Sequence, residues 1–255
     1  MNFQKYLNRI GLEEFPDVSL TSLKLLQRRH LFAIPFENLD IHVNKRIIID
    51  YERIFEKVVL HRRGGFCYEL NGLFYHLLEH LGFSVKRLSA IVEGDIKEKP
   101  LEYDHMTLLV TINGEEWLTD VGFGRFSFVP LKLELDSVQS DGRHQFKYVH
   151  YHEEYNGIMT LQPDHSWKFS YIFTKKERQA YEFIPMCHYQ QTFPESHFVV
   201  KGKMITIPTK EGRITLHENN LKITKGQEVS ETAVESNEHY FALLKAYFEI
   251  TLNET

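Results

Sequence analysis

A single cysteine at the start of a helical pattern constrains this sequence more than any other feature. The stretch RRGGFCYELNGLF, Arg62 to Phe74, places two glycines and a phenylalanine directly before Cys67. At 100° per residue the thiol shares one arc of about 140° with six apolar side chains: Leu70, Leu73, Phe74, Leu77, Leu78 and Leu81. The pattern predicts a helix that begins near Cys67, ends at the C-cap residue Gly82 and turns its thiol toward the protein body.

Two interpretations of Cys67 stay open at this point. Free backbone N–H groups and the helix dipole favour an anion at a helix start, which predicts a lowered thiol pKa and a reactive group. Gly64 and Gly65 allow the backbone to approach such a site closely. The alternative is a structural cysteine buried on a core helix. The second cysteine, Cys187 in FIPMCHYQ, has no glycine turn or helix start beside it, so it is predicted to be a packed thiol.

Composition narrows the class of protein. Hydrophobic residues make up 42% of the 255 residues and aromatic residues 13%, which is enough for a substantial core. The formal net charge of -5, without a long basic run, argues against a nucleic-acid partner. The N-terminus has no apolar signal region and the chain has no long apolar run, so we expect a cytoplasmic protein without a membrane partner. In that reducing compartment a structural disulfide is not expected.

The order of patterns along the chain predicts helices first and strands later. Helical spacing follows Ser19 up to Pro35, and again follows the N-cap candidate Asp50. After Gly82 come short β-rich segments that predict an antiparallel barrel or sandwich: SVKRLSAIVEG, HMTLLVTI, EEWLTDVGF, QFKYVHYH and GIMTLQP. From about Tyr189 onward further strands are predicted in HFVVKGKMITIPT and GRITLHENNLKIT, and a final helix in SNEHYFALLKAYFEI. No linker or repeat divides these segments, which favours one compact body.

A predicted hairpin brings a histidine beside a carboxylate. Asn113-Gly114 is a strong type I′ turn signal between two strand patterns. A two-residue loop makes Ile112 pair with Glu115, and the same register puts His105 and Asp120 on one face as diagonal neighbours. A cysteine nucleophile needs such a base and a group that orients it. Two hydrophilic residues on a solvated face, or a longer NGEE loop with another register, are the alternatives.

Two other motifs compete for attention. HLLEH, His76 to His80, matches a zinc-protease pattern, but both histidines lie opposite the leucine stripe and a solvated face explains them better. HRR, His61 to Arg63, is too short for a polyanion site, although one of its arginines could pair with Glu37 in IPFENLD.

Three stretches together, RRGGFCYELNGLF, DHMTLLV and DVGFG, resemble the arylamine N-acetyltransferase family, especially its bacterial members. IPFENLD and YQQTFPESHFVV are similar to further family patterns in the same order. The resemblance implies an α+β fold with a cysteine-protease-like core: an N-terminal helical bundle (1–83) carrying the nucleophile, a middle antiparallel β-barrel (84–190) carrying histidine and aspartate, and a C-terminal α/β lid (191–255). Cys187 departs from the family, which often has asparagine there.

The resemblance also implies the chemistry. Cys67, His105 and Asp120 become a catalytic triad that passes an acetyl group from acetyl-CoA, without a metal ion, to an arylamine, arylhydrazine or arylhydroxylamine through an acetyl-cysteine in a ping-pong reaction. It further implies an aromatic acceptor slot and a glycine loop that approaches the acetyl donor; these residues are Phe36, Phe123 and Phe198 for the slot, and Gly122 and Gly124 for the loop. A cysteine hydrolase with the same triad, and a binding module with a structural thiol, remain the alternatives, and the oligomeric state is open.

Overall fold

Helices fill the N-terminal part of the computed structural model, which describes residues 1–92 and 101–252. They are α1 (Phe3–Arg9), α2 (Leu20–Ala33), α3 (Leu39–His42), α4 (Tyr51–Phe55), which continues into a π-helical turn (Glu56–Leu60), and α5 (Cys67–His80). The predicted caps are present: the Ser19 side chain accepts the N–H of Ser22, and Asp50 accepts the N–H of Arg53.

Helix α5 is the central helix of this part. Its predicted apolar face is confirmed, because Leu70, Leu73, Phe74, Leu77 and Leu78 are all fully buried. The helix begins at Cys67 as predicted, and Gly82 follows its end with a φ of +91°, a conformation that favours glycine. The start of α5 is therefore held inside the protein.

An eight-stranded antiparallel sheet forms the middle part. Its strands are β2 (Ser84–Val92), β3 (His105–Ile112), β4 (Glu115–Thr119), β5 (Leu131–Lys132), β6 (Val138–Ser140), β7 (Gln145–His152), β8 (Tyr155–Leu161) and β9 (Trp167–Glu177). Their order in the sheet is β5-β4-β3-β2-β9-β8-β7-β6. The predicted hairpin is confirmed, with Ile112 opposite Glu115 and positive φ angles at Asn113 and Gly114.

One side chain joins the two edges of this sheet. The Gln139 amide on β6 donates to the Lys132 carbonyl on β5 at 2.8 Å and accepts the Lys132 N–H at 2.8 Å. A side chain thus takes the place of a ladder between the edge strands, and the sheet curls into a nearly closed barrel around an apolar core.

The C-terminal part combines a second sheet with helices. Its elements are a 3₁₀ turn (Ala180–Phe183), α6 (Ile184–Thr192), α7 (His197–Val200), β10 (Met204–Pro208), β11 (Gly212–His217), β12 (Asn220–Lys225), β13 (Glu228–Ala233) and α8 (Asn237–Phe248). The sheet order is β1-β10-β11-β12-β13, and its first strand, β1 (Phe36–Glu37), comes from the N-terminal part. The N-terminal and C-terminal parts are therefore joined by strand pairing.

Two local predictions in this part are wrong. The stretch HFVV forms α7 and not a strand, because the Ser196 carbonyl captures the N–H groups of both Val199 and Val200 while its hydroxyl is anchored on Gln190. Cys187 lies in the first turn of α6, so a helix start is present beside it. In HFVV, the local hydrogen-bonded turn thus outweighed the β preference of the two valines.

The predicted fold class is confirmed: helical bundle, antiparallel barrel and α/β lid follow one another along the chain. The two boundaries between the three predicted domains stay predictions, and the one after residue 190 falls inside α6. Residues 93 and 94 of the predicted SVKRLSAIVEG strand and the end of the predicted lid, 253–255, lie outside the described residues. Among the described helices, none has the length and apolar character needed to cross a membrane.

Candidate active site

A buried histidine–aspartate pair lies at the open end of the β3–β4 hairpin. His105 is the first residue of β3, and Asp120 directly follows β4. The His105 Nε2–H donates to Asp120 Oδ2 at 2.7 Å, and the two residues are 2% and 0% exposed. The hairpin register predicted from sequence thus brings these two side chains together. Because Nε2 donates to the carboxylate, Nδ1 is the ring nitrogen that can act as a base.

The Asp120 carboxylate is surrounded by donors. Besides His105, Oδ2 accepts the Tyr171 hydroxyl at 3.1 Å, and Oδ1 accepts the Asn71 amide at 2.8 Å and the Gly122 N–H at 2.9 Å. Burial alone would raise the pKa of Asp120, but the charge of His105 and these hydrogen bonds outweigh it and hold that pKa below its ordinary value. Asp120 is therefore an ionised group fixed in orientation.

The Cys67 thiol is the N-terminal side chain of α5 and is 3% exposed. Burial raises its pKa well above the ordinary value, the negative charges of Asp104 and Asp120 add to this, and a hydrogen bond with the Met106 backbone opposes it. The expected lowering of the pKa by the helix start is therefore wrong for the thiol taken alone, because desolvation is the larger effect. A thiolate at Cys67 requires a base that takes its proton.

Asn71 is a site residue that the sequence analysis missed. It lies one helical turn after Cys67 on the same side of α5 and is fully buried. Its amide donates to Asp120 Oδ1 and, at 2.6 Å, to the Met106 carbonyl, while its oxygen accepts the Val121 N–H at 2.8 Å. The available signal was a polar residue four positions after the cysteine, beside an otherwise apolar stripe.

The two predicted loop glycines lie close to protein groups. A Cβ at Gly122 would lie 2.7 Å from Asn71 Nδ2 and 2.8 Å from Cys67 Cα, so the loop rests directly on α5 and leaves no room for a side chain. Gly124 has a φ of +79°, and its carbonyl accepts Arg213 Nη1 at 2.7 Å. A contact of either glycine with an acetyl donor stays a prediction.

The three predicted slot residues form two groups. Phe36 and Phe198 have ring centroids 6.2 Å apart. Phe123 lies instead against His105, with centroids 5.2 Å apart. Gly124 lies against the first group, since a Cβ there would meet the Phe36 ring at 3.2 Å. Of the three aromatic residues, Phe123 is the one that packs against the histidine ring, and Phe36 packs against the loop at Gly124.

A buried ion cluster supports the start of α5 from the other side. Arg63 Nη2 donates to Glu37 at 2.7 Å and to Asp40 at 2.9 Å, which identifies the arginine that pairs with Glu37. Lys57 Nζ lies 2.9 Å from both Asp40 and Glu69. Glu69 Oε2 in turn accepts the N–H of Phe66, the residue before the cysteine. The cluster therefore fixes the backbone that presents the thiol.

The remaining sequence candidates lie elsewhere. His80 is exposed and stacks on Phe3 with centroids 4.5 Å apart, and His76 packs on the Tyr51 ring. Within 1–92 and 101–252, no group of three or more His, Cys, Asp or Glu side chains could hold a metal ion. Cys187 is 2% exposed, and burial raises its pKa to about 12, which agrees with a packed thiol.

The sequence and the fold of this chain are similar to those of known proteins. Residues 19–255 match the sequence profile of the N-acetyltransferase family. An arylamine N-acetyltransferase of Mycolicibacterium smegmatis is 34% identical over 229 residues, 88% of this chain and 82% of that protein. The Mycobacterium marinum arylamine N-acetyltransferase structure in complex with CoA has a TM-score of 0.88 at 29% identity, covering 98% of this chain and 93% of that one. A Bacillus cereus arylamine N-acetyltransferase, described with a Cys-His-Glu catalytic triad, has a TM-score of 0.89 at 26% identity, covering 99% and 100%.

Proposed function

The chain belongs to the arylamine N-acetyltransferase family and is an acyltransferase, and from this premise we propose that Cys67 carries an acetyl group from acetyl-CoA to the nitrogen of an aromatic amine. His105 is the base and Asp120 orients it. The observation that carries the proposal is the 2.7 Å hydrogen bond between His105 Nε2 and a fully buried Asp120, beside the start of α5, whose first residue is Cys67.

The first half-reaction acetylates the enzyme. His105 Nδ1 takes the proton of Cys67, and the thiolate attacks the thioester carbonyl of acetyl-CoA. Backbone N–H groups at the start of α5 stabilise the oxyanion. When the carbon–sulfur bond to coenzyme A breaks, the imidazolium returns its proton to the departing thiolate. Because burial opposes a lone thiolate at Cys67, proton transfer and attack depend on the imidazolium that Asp120 stabilises.

The second half-reaction discharges the acetyl group. The amine nitrogen attacks the acetyl-cysteine carbonyl and gives its proton to His105 Nδ1. The carbon–sulfur bond to Cys67 then breaks, the proton returns to the sulfur, and the N-acetyl product leaves. Aromatic amines, hydrazines and hydroxylamines are weak bases that stay uncharged near neutral pH, so a slot between Phe123 and the pair of Phe36 and Phe198 suits them.

With a net charge of -5, the protein as a whole has no positive electrostatic field that would attract the anionic donor. Local groups must therefore hold it. Three arginines near the Gly124 loop can supply the cations. Burial and the like charges of Arg125 and Arg143 lower the pKa of Arg213 to about 10, which describes a crowded cationic group next to the glycine loop. The phosphates of coenzyme A are anions of the kind that such a group favours.

The experiment that tests the function uses intact-protein mass spectrometry. Incubation with acetyl-CoA and no amine should add one acetyl group to Cys67 and release coenzyme A, and an aniline should then remove the group as an N-acetyl product. Cys67→Ala is the blank, and Cys187→Ala, which removes the other buried thiol, is the matched control that should still be acetylated.

Two results would contradict the proposal in different ways. Folded protein with free thiols that neither gains an acetyl group nor releases coenzyme A would exclude acetyl transfer through Cys67. An adduct that water removes as quickly as the aniline does would instead indicate a cysteine hydrolase, since a transferase must keep water away from its intermediate.

A further inference from the structure

We infer that the Asn71 amide is a positioning residue that sets Cys67 against the His105–Asp120 pair. The inference rests on the proposed function, because it assigns Asn71 a part in the same triad. Asn71 touches neither substrate in this assignment and acts only through the three residues that it holds.

Asn71 connects the elements that carry the triad. It stands on α5, which carries the thiol, and donates at 2.6 Å to the carbonyl of Met106, the residue after His105 on β3. It also donates at 2.8 Å to Asp120 and accepts the Val121 N–H at 2.8 Å. One side chain thus ties together the three segments that supply nucleophile, base and orienting carboxylate.

The site also requires the chemistry of an amide. Two of the Asn71 partners are acceptors and one is a donor, so the site needs a side chain with both NH₂ and C=O groups. Aspartate has nearly the same shape but puts an oxygen against the Met106 carbonyl and Asp120 Oδ1. Even when protonated it donates to only one of them, and when ionised it repels Asp120. Shape alone therefore cannot replace the amide.

The surroundings of Asn71 are tightly packed. Asn71 is fully buried, and a Cβ at the neighbouring Gly122 would come within 2.7 Å of its Nδ2. The loop that carries Asp120 packs directly against the amide. In a variant that lacks these hydrogen bonds, water could take their place only by displacing the loop. Loss of the amide should displace Asp120 and, through it, His105. The displacement should change the proton affinity of the His105–Asp120 pair.

The test compares the rate at which iodoacetamide alkylates Cys67 across pH in wild type, Asn71→Asp and Asn71→Leu, with peptide mapping to assign the site. We expect the apparent thiol pKa to rise by at least about one unit in both variants, which lowers the alkylation rate by at least about tenfold at pH values below the wild-type pKa. Gln139→Ala, which removes the amide that joins β5 and β6 away from Cys67, should leave the profile unchanged. Asn71→Asp keeps the shape, so the comparison survives if Asn71→Leu does not fold.

A structural role without positioning predicts a different result. Lower melting temperatures for the Asn71 variants with an unchanged alkylation profile would overturn the inference and leave the proposed function intact. A wild-type Cys67 that reacts no faster than a denatured thiol at every pH would instead overturn the proposed function, and the inference with it.

Discussion

At the scale of single residues, the site is a balance between burial and hydrogen bonding. Burial raises the pKa of Cys67, whereas Asp120, which is no less buried, keeps its pKa below the ordinary value because the charge of His105 and four hydrogen bonds to its oxygens outweigh burial. In the proposed mechanism the negative charge is thus placed in advance on the aspartate, and the cysteine becomes charged only when His105 takes its proton.

Asp120→Asn tests this balance. The variant removes the charge that stabilises an imidazolium at His105 and favours the wrong tautomer, while its shape still fits. We expect acetyl transfer to fall by at least about a hundredfold with an unchanged circular dichroism spectrum.

The chain supplies a control for this change. Asp141 is a second buried aspartate that contacts a histidine, His144, on the barrel, with its pKa also held low. Asp141→Asn should leave acetyl transfer nearly unchanged at a temperature where both variants are folded. Equal activity for Asp120→Asn and Asp141→Asn would remove Asp120 from the mechanism.

Sequence reasoning reached most of the site at this scale for identifiable reasons. The Asn113-Gly114 turn fixes a register, and a register fixes which side chains are neighbours, so His105 and Asp120 could be paired in advance. Asn71 was missed because its partners include backbone atoms of Met106 and Val121, and no residue pattern shows where a backbone group ends up. For the thiol taken alone, the predicted direction of the Cys67 pKa was wrong because a helix start is visible in a sequence and desolvation is not.

At the scale of elements, the loop after β4 is the most constrained connection in the site. Gln27 on α2 holds both of its ends, donating to the Ser127 carbonyl at 2.9 Å and accepting the Thr119 hydroxyl at 2.5 Å. Between these ends Phe123 lies against the His105 ring. The loop thus presents one aromatic side chain to the base from a rigid frame.

Phe123→Ser should change which acceptors are preferred. Removing the ring widens the slot beside His105 without touching the thiol, so we expect the ranking of anilines and hydrazides to change more than the rate of acetylation by acetyl-CoA. Separate measurement of the two half-reactions checks this. Phe169→Ser, on β9 against Tyr151, is the control, and an unaltered acceptor ranking for Phe123→Ser would make Phe123 purely structural.

Elements were predicted where the hydrophobic period agreed with the residues that begin or end an element, and they were missed where these two signals did not agree. The start of α5 and the β3–β4 hairpin have both signals, whereas α7 is a single turn made by one serine that captures two N–H groups. The π-helical turn after α4 was also not predicted; it carries Lys57, whose ammonium group lies against buried carboxylates on α3 and α5, and no local sequence pattern shows such contacts.

At the scale of the whole molecule, the buried ion cluster connects several elements of the N-terminal part. Glu37 lies on β1, Asp40 on α3, Lys57 on the π-helical turn, and Arg63 and Glu69 on either side of Cys67. Burial raises the pKa of Asp40, but Lys57 and Arg63 outweigh it and hold that pKa below its ordinary value. The stability from Asp40 is therefore present above the unfolded pKa of about 3.9 and lost as pH falls through its lower folded pKa.

Arg63→Met should destabilise the fold strongly, because it leaves Glu37 and Asp40 buried with one cation fewer. We expect the free energy of unfolding at pH 7 to fall by about 3–5 kcal/mol, the usual loss when one partner of a buried pair is removed. Urea unfolding followed by circular dichroism measures it. Lys222→Met, which breaks the exposed pair with Glu231, should hardly move the midpoint, and similar midpoints for both variants would show that the cluster adds little.

The pairing of β1 with β10 has a consequence for how the enzyme is made. Phe36 and Glu37 leave the ribosome early, but their strand partners, Thr206 and Ile205, are translated only near the end of the chain. A ribosome builds a protein from its N-terminus, and segments fold as they emerge. The strand that carries Phe36 can therefore form its bridge to Gly65 early, but it must wait for β10 through most of translation. A message cut short before β10 would yield a chain holding Cys67, His105 and Asp120 without the sheet that completes the enzyme around them.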